Sequence, residues 1–202
     1  MTREVTVIRT GSANLASVVA ALERANCSVC VSEDPDRALT ADRVVLPGVG
    51  SFGPVARRLA ETGLAAPLAE RLLAGRPTLA ICLGLQLLAA GSEEDPGVPG
   101  LEVLPVTATR FNDGLRVPQL GWNRVTADPE ARLLHDGTAY FANSYKLDAV
   151  PPGWSAATTD HGGPFVSAVE RGPVLACQFH PELSGPWGQA LIERWLDVGA
   201  AN

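Results

Sequence analysis

The strongest constraint on the fold of this chain is a junction. The apolar strand pattern Thr78-Leu79-Ala80-Ile81 gives way to a helical pattern from Leu83 with almost no residues left for a loop. A backbone bends that sharply only between small neighbours, and Ala80 and Gly84 stand two residues either side of Cys82. The same alternation recurs upstream. Val5 to Ile8, Val29 to Val31 and Val44 to Leu46 read as strands, the third ending at Pro47-Gly48. Asn14 reads as the N-cap of a helix carrying Leu15, Val18, Val19 and Leu22 on one face. Helical segments occupy Pro54 to Ala74, broken near Thr62-Gly63, and a further helix is predicted over 83–90. Strands and helices alternating at this spacing predict an α/β fold: an open, mixed, mainly parallel central sheet flanked by helices, with ligands at the carboxyl ends of the strands.

Beyond residue 100 the pattern changes to short β-prone runs: 103–109, 122–126, 139–141, 155–159, 166–169 and 174–179. A helix over 187–198 closes the chain, with Leu191, Trp195 and Leu196 on its apolar side. The polar stretch 91–100 can pass for a linker, but the later strands are expected to extend the same sheet, giving one domain over 1–202.

Composition supports a packed core and removes several classes of function. Of 202 residues, 46% are hydrophobic and 19% charged, which excludes a disordered or fibrous chain. The net charge of −6, with 15 Arg and one Lys scattered along the sequence, has the wrong sign for binding a phosphate backbone. The apolar run after Glu4 is too brief for a secretory signal, and the longest apolar stretch, 78–90, is interrupted by Gln86 and falls short of the ~20 residues that span a bilayer. A cytoplasmic protein is expected. Cys27-x-x-Cys30 has no second pair and no His-x-x-x-His after it, so it reads as two small residues near a strand, and no metal is expected.

Cys82 is the sharpest candidate for chemistry. A helix N-terminus beneath it favours the thiolate, although a thiol of pKa ~8.5 still needs a base near neutrality. Taken alone, it also reads as a core cysteine on an apolar strand. Of three histidines, His135 and His161 lie in Asp- and Gly-containing turns and are expected to be solvated, whereas His180 follows the strand 174–179. Glu182, two residues on, can accept the second ring N–H and fix the tautomer. His180-Pro181-Glu182 also reads as a loop with a salt-bridged carboxylate. The Gly-rich turn Pro47 to Phe52 can aim backbone N–H groups at an oxyanion; it lacks the Gly-Lys-Ser/Thr of a Walker loop.

Four strings, Ile81-Cys82-Leu83-Gly84-Leu85-Gln86, Pro47-Gly48-Val49-Gly50-Ser51-Phe52, Pro118-Gln119-Leu120-Gly121-Trp122-Asn123 and Gln178-Phe179-His180-Pro181-Glu182, together resemble the class I (triad) glutamine amidotransferases. Within these, they are most similar to the glutaminase subunits of imidazole glycerol phosphate synthases, enzymes of histidine biosynthesis. The similarity runs from the Asn14 helix to the closing helix, and the order and spacing of the strings carry it. It implies that Cys82 attacks the carboxamide of L-glutamine to give a thioester and ammonia, with His180 as base and acid and Glu182 orienting it. It further implies an oxyanion hole from Leu83 and the Val49-Gly50 loop, and a glutamine site at Gly50, Gln86, Ser144 and Tyr145. The implied partner is a (β/α)8-barrel synthase subunit that receives ammonia through a channel and contacts Asn14, Pro118, Gln119, Gly121, Trp122 and Leu183. No cofactor is implied.

The chain departs from the family pattern at several positions. Arg9-Thr10-Gly11-Ser12-Ala13-Asn14-Leu15 stands where the family usually has Asp-Tyr-Gly-x-Gly-Asn-Leu. Ala80 replaces Gly, tolerable if its φ stays negative; Gln119 and Asn143 each replace His; Leu183 replaces Lys. The triad is intact, and the altered positions cluster on the implied partner side. This pattern points to kept glutaminase chemistry with changed coupling. A paralogue that feeds a different synthase, or a non-catalytic regulatory subunit, are the alternatives.

Overall fold

A computed structural model describes residues 2–11 and 15–198, so Asn14, expected to cap the first helix and to face a partner, lies outside the described residues. The first half alternates as the sequence indicates: β1 (Arg3–Ile8), α1 (Leu15–Arg24), β2 (Cys27–Ser32), α2 (Pro35–Thr40), β3 (Val44–Gly48), α3 (Phe52–Glu61), α4 (Ala65–Leu73), β4 (Thr78–Cys82) and α5 (Leu83–Leu87). The short α2 was not expected. Its signal is Asp34-Pro35: the Asp34 carboxylate accepts from Asp36 N at 3.0 Å, and proline sits in the first turn, where no donor is lost. The second half contributes β5 (Ala89–Ser92), β6 (Leu104–Arg110), β7 (Gln119–Ala127), β8 (Gly137–Asn143), β9 (Tyr145–Lys146), β10 (Ser155–Asp160), β11 (Pro164–Arg171), β12 (Val174–Cys177), a 3₁₀ turn (Pro181–Leu183) and α6 (Gly185–Asp197).

Nine strands form one sheet in the order β2-β1-β3-β4-β12-β11-β10-β7-β8. From β2 to β12 neighbouring strands run parallel, and from β12 to β8 they run antiparallel. Alternation along the parallel strands sends Val44, Leu46 and Ala80 to a layer formed with α2 to α5, and Val45, Leu79 and Ile81 to a layer formed with α1 and α6. Consequently β3, β4 and β12 end side by side, and the turn after β3, Cys82 and His180 share one edge.

Three expectations are corrected. The helix after Cys82 stops at Leu87 instead of reaching residue 90. The carbonyls of Leu87, Leu88, Ala89 and Ala90 accept from the amides of Leu101, Val103, Glu102 and Gly100, which draws residues 89–92 out as a strand. The 91–100 stretch is therefore a bonded turn, not a linker, and β6 belongs to a separate sheet ordered β5-β6-β9. His161 is also not free in solvent: its Nε2 lies 3.0 Å from the Arg116 carbonyl and its ring packs edge-on against Phe111, whereas His135 is exposed. On β2, Cys27 is buried and Cys30 half-buried. No helix among the described residues is long and apolar enough to cross a membrane.

The contact that positions the sharp turn is backbone against backbone. A Cβ on Gly84 would lie 2.2 Å from the Leu46 carbonyl oxygen. Gly84→Ala is therefore expected to lower stability by about 1–3 kcal/mol or more, as overpacking at an unyielding contact does. Urea unfolding at constant pH measures it, and an unchanged midpoint contradicts the packing described.

Candidate active site

The strand-to-helix junction produces the first element of the site. Cys82 ends β4 and caps α5 with φ 55° and ψ −110°, a conformation that costs a residue with a Cβ about 1–3 kcal/mol and persists where the surroundings enforce it. Ala80 is not among the positive-φ residues, which explains why it can replace glycine there. On the neighbouring strand a Cβ at Gly48 would stand 2.8 Å from Leu83 Cβ, and Gly50 takes φ 92°. The Gly-rich turn thus lies directly against the start of α5. Leu83 is the first residue of that helix, a position whose amide has no intrahelical acceptor.

The second element comes from the end of β12. Cys177 pairs with Ile81, so the next residue, Gln178, stands beside Cys82 and donates from Nε2 to its sulfur at 3.6 Å. His180 is held by its backbone: its N–H donates to the Tyr140 carbonyl at 2.9 Å and its carbonyl accepts from Ser184 Oγ at 2.6 Å. Ser184 Oγ in turn accepts from Tyr140 N at 3.0 Å, which closes the link to β8. The 3₁₀ turn brings Glu182 back under the ring, with Oε1 2.8 Å from Nδ1. Glu182 holds the ring through Nδ1, and Cys82 and His180 line the same cavity, close enough for the sulfur to raise the ring's affinity for a proton.

Opposing effects set the charge on His180. Burial pulls its pKa down, but hydrogen bonds to Cys82 and Glu182, together with the negative charge on both, lift it from 6.5 to about 10. The balance favours a charged imidazolium between Cys82 and Glu182. Cys177, by contrast, is wholly buried, and burial pushes its thiol well up.

These groups open onto a cavity of about 220 Å³, smaller than drug-sized sites and suited to an amino acid. Val49, Gly50, Cys82, Leu83 and His180 line one side, and Gln86, Asn143, Ser144 and Tyr145 the other. Gln86 Nε2 donates to the Tyr145 carbonyl at 3.2 Å and to Gln178 Oε1 at 3.0 Å, tying the cavity floor to the residue beside the sulfur. Asn143 Nδ2 donates to the same carbonyl at 3.0 Å. Glu94 also lines the cavity and its Oε2 accepts from Phe52 N at 2.8 Å. Glu94 was not singled out from sequence, and Gln178, part of a quoted string, was given no role. Glu94 is hidden in the polar 91–100 stretch, while the register of β12 on β4 would have pointed to Gln178.

The residues expected at a partner surface divide in two. Leu120, Trp122 and Leu183 are 64%, 59% and 43% exposed, large apolar groups in the open. Pro118 is exposed and Gly121 half-buried. Gln119 is the correction: it is 5% exposed, because alternation along β7 turns it inward when Leu120 and Trp122 point out. It stands directly opposite Asn143 across the β7–β8 ladder.

Residues 6–198 match the family model described as "Glutamine amidotransferase class-I". The chain is 40% identical over 195 residues to "Imidazole glycerol phosphate synthase subunit HisH" of Symbiobacterium thermophilum, covering 95% of this chain and 92% of that protein. It is 43% identical over 192 residues to a protein of the same description from Thermus thermophilus, covering 93% and 96%. A solved structure described as "Crystal structure of glutamine amidotransferase" superposes with a TM-score of 0.75 at 19% identity, covering 95% and 96% of the two chains, and shows the shared fold.

The balance at His180 can be tested directly. Glu182→Gln removes the negative neighbour that favours the charged imidazole, while the burial that disfavours it remains. The ring's titration midpoint is expected to fall by about 1–3 pH units. Imidazole ¹⁵N shifts followed from pH 5 to 11 measure this, and a midpoint that stays put contradicts the assigned cause.

Proposed function

The chain belongs to the class I glutamine amidotransferase family and is a glutaminase-type enzyme of it, and from that premise we propose that it hydrolyses L-glutamine through Cys82, His180 and Glu182. The observation that carries this reading is the Glu182–His180 hydrogen bond together with Cys82 beside His180 at the wall of an amino-acid-sized cavity. The Cys82 thiolate attacks the side-chain carboxamide carbon. The oxyanion forms beside the amide of Leu83 and the Val49-Gly50 turn, where each fixed donor is worth ~2.7–4 kcal/mol of barrier. As the C–N bond breaks, the departing nitrogen takes the proton of the His180 imidazolium and leaves as ammonia. The same ring then takes a proton from water, which attacks the thioester; glutamate leaves and the thiolate returns. Glu182 keeps the ring in one tautomer throughout. Glu94 supplies a carboxylate for the α-ammonium group, and Gln86, Ser144, Tyr145 and Gly50 hold the remaining backbone groups of glutamine.

Ammonia made this way serves a synthase, and the names of the relatives point to imidazole glycerol phosphate synthase in histidine biosynthesis. The reading places a (β/α)8-barrel synthase subunit over the exposed Leu120, Trp122 and Leu183, an apolar group of the kind that marks a protein interface, in a cytoplasmic heterodimer. Trp122 packs edge-on against Tyr140 of β8, whose carbonyl holds His180, so one residue of β8 links the docking face to the triad.

Cys82→Ala is expected to abolish glutamate formation while its circular dichroism melt stays cooperative. Glu182→Gln should lower kcat by about 10²–10⁴-fold, and His180→Ala by more, because the base itself is lost. Retained turnover in the Cys82 variant refutes the nucleophile. Trp122→Ala should weaken binding to the barrel subunit by about 30-fold or more, the size of an interface hot spot. Calorimetric titration reads this, and unchanged affinity removes Trp122 from the interface.

A further inference from the structure

Gln178 is fully buried just past the end of β12 and takes no part in the reaction described above, yet its side chain reaches the reacting atom. Its Nε2 lies 3.6 Å from Cys82 Sγ, and its Oε1 accepts from Gln86 Nε2 at 3.0 Å. Which end of this amide faces the sulfur is decided by its neighbours. The Tyr145 carbonyl can only accept, so the end of Gln86 that stands 3.2 Å from it is the amide nitrogen. That nitrogen also faces Gln178, which therefore offers its oxygen to Gln86 and turns its NH₂ to the sulfur. The backbone is fixed as well. Gln178 N donates to the Ser167 carbonyl at 2.8 Å, one residue beyond the last pairing of β12 with β4. A buried N–H donor is thus aimed at the nucleophile by a side chain with both ends of its amide engaged.

We propose that Gln178 is a catalytic residue whose N–H steadies the negative charge that returns to the Cys82 sulfur as the thioester breaks; the inference rests on the glutaminase reading above. In that step water adds to the thioester carbonyl, its proton passes to His180, the C–S bond breaks and the electron pair stays on sulfur. A thioester sulfur is a weak acceptor and a thiolate a stronger one, so the bond from Gln178 tightens as the transition state is crossed. Only an interaction that strengthens in this way raises the rate of a step. The attack on glutamine gains little from the same donor. It favours the charged sulfur before attack but makes it a weaker nucleophile, and the two effects oppose each other. The contribution of Gln178 therefore falls on release of glutamate and not on release of ammonia. Gln86, which lines the cavity, holds the other end of the amide, and bonds linked in such a chain strengthen one another.

Gln178→Met removes the donor while an unbranched, adaptable side chain fills the space. The full chain is used, with its synthase subunit present where turnover requires it, and the glutamyl thioester on Cys82 is followed by rapid acid quench and intact mass. Hydrolysis of the thioester is expected to slow about 10- to 100-fold, the worth of a hydrogen bond to a charged group. Its formation should stay within about threefold, so kcat and KM fall together while kcat/KM is kept. Hydrolysis at the rate of the unsubstituted chain overturns the proposal. So does an equal slowing of formation and hydrolysis, because a residue that only shapes the site affects both steps alike. The bond is also read with Gln178 in place. Its side-chain amide proton resonances should move upfield on Cys82→Ala, and resonances that stay put overturn the proposal even where the Met variant does not fold. If the unsubstituted chain forms neither thioester nor glutamate, the glutaminase reading fails instead, while the amide resonances still report on the bond to sulfur.

Discussion

No side chain fits between the first turn of α5 and the end of β3. A Cβ at Gly84 would meet the Leu46 carbonyl at 2.2 Å, and one at Gly48 would meet the amide of Gly84 at 2.9 Å. This backbone contact forces Cys82 into its left-handed conformation and sets the Gly-rich turn against the Leu83 amide. Once the strand end is fixed in this way, the parallel pairing of β12 with β4 delivers Gln178 and then His180 to the same place. The site is thus a consequence of strand order and one unfilled contact, and α5, only five residues long, serves to redirect the chain more than to supply a dipole.

The electrostatics follow from that placement. Taken from water and left alone, an imidazole would stay neutral; at this position the burial is outweighed because Cys82 and Glu182 flank the ring. Both partners are fixed by backbone geometry, Glu182 by a 3₁₀ turn and Cys82 by the strained junction, so little side-chain entropy opposes the pairing. Cys177, on the neighbouring strand, is sealed in the core with no cavity beside it among the described ones, and burial pushes its thiol well up.

Much of this was legible in the sequence because it rests on local signals. The strand-helix alternation, the small residues flanking Cys82 and the His-x-Glu spacing are each set within a few positions of one another. What escaped depends on long-range packing. Arg71 is fully buried and donates to the carbonyls of Leu39, Ala41, Asp42 and Pro77, and burial lowers its pKa to about 10. Nothing near it in sequence announces those acceptors. The same holds for Glu94, whose role at the cavity follows from the turn that folds 93–95 onto the start of α3. The overlong helix after Cys82 is the reverse case. Its apolar residues suit either structure, and the amides of 100–103, far from local pattern, decide the matter.

Gln119 and Asn143 show how departures that look independent in sequence can be one change in space. Each stands where the resembling family has histidine, and the register pairs them directly across β7 and β8, on the inward side of that ribbon. Side chains so placed have Cβ atoms about 4.5–5.5 Å apart, so altering one alters the surroundings of the other. Two imidazoles there would titrate near neutrality beside the cavity, whereas two amides carry no charge at any pH. With amides in both positions, His180 is the only histidine lining the cavity among the described residues. The charge on the site is therefore governed by one imidazole between Cys82 and Glu182, with no second imidazole among the described residues of the opposite wall.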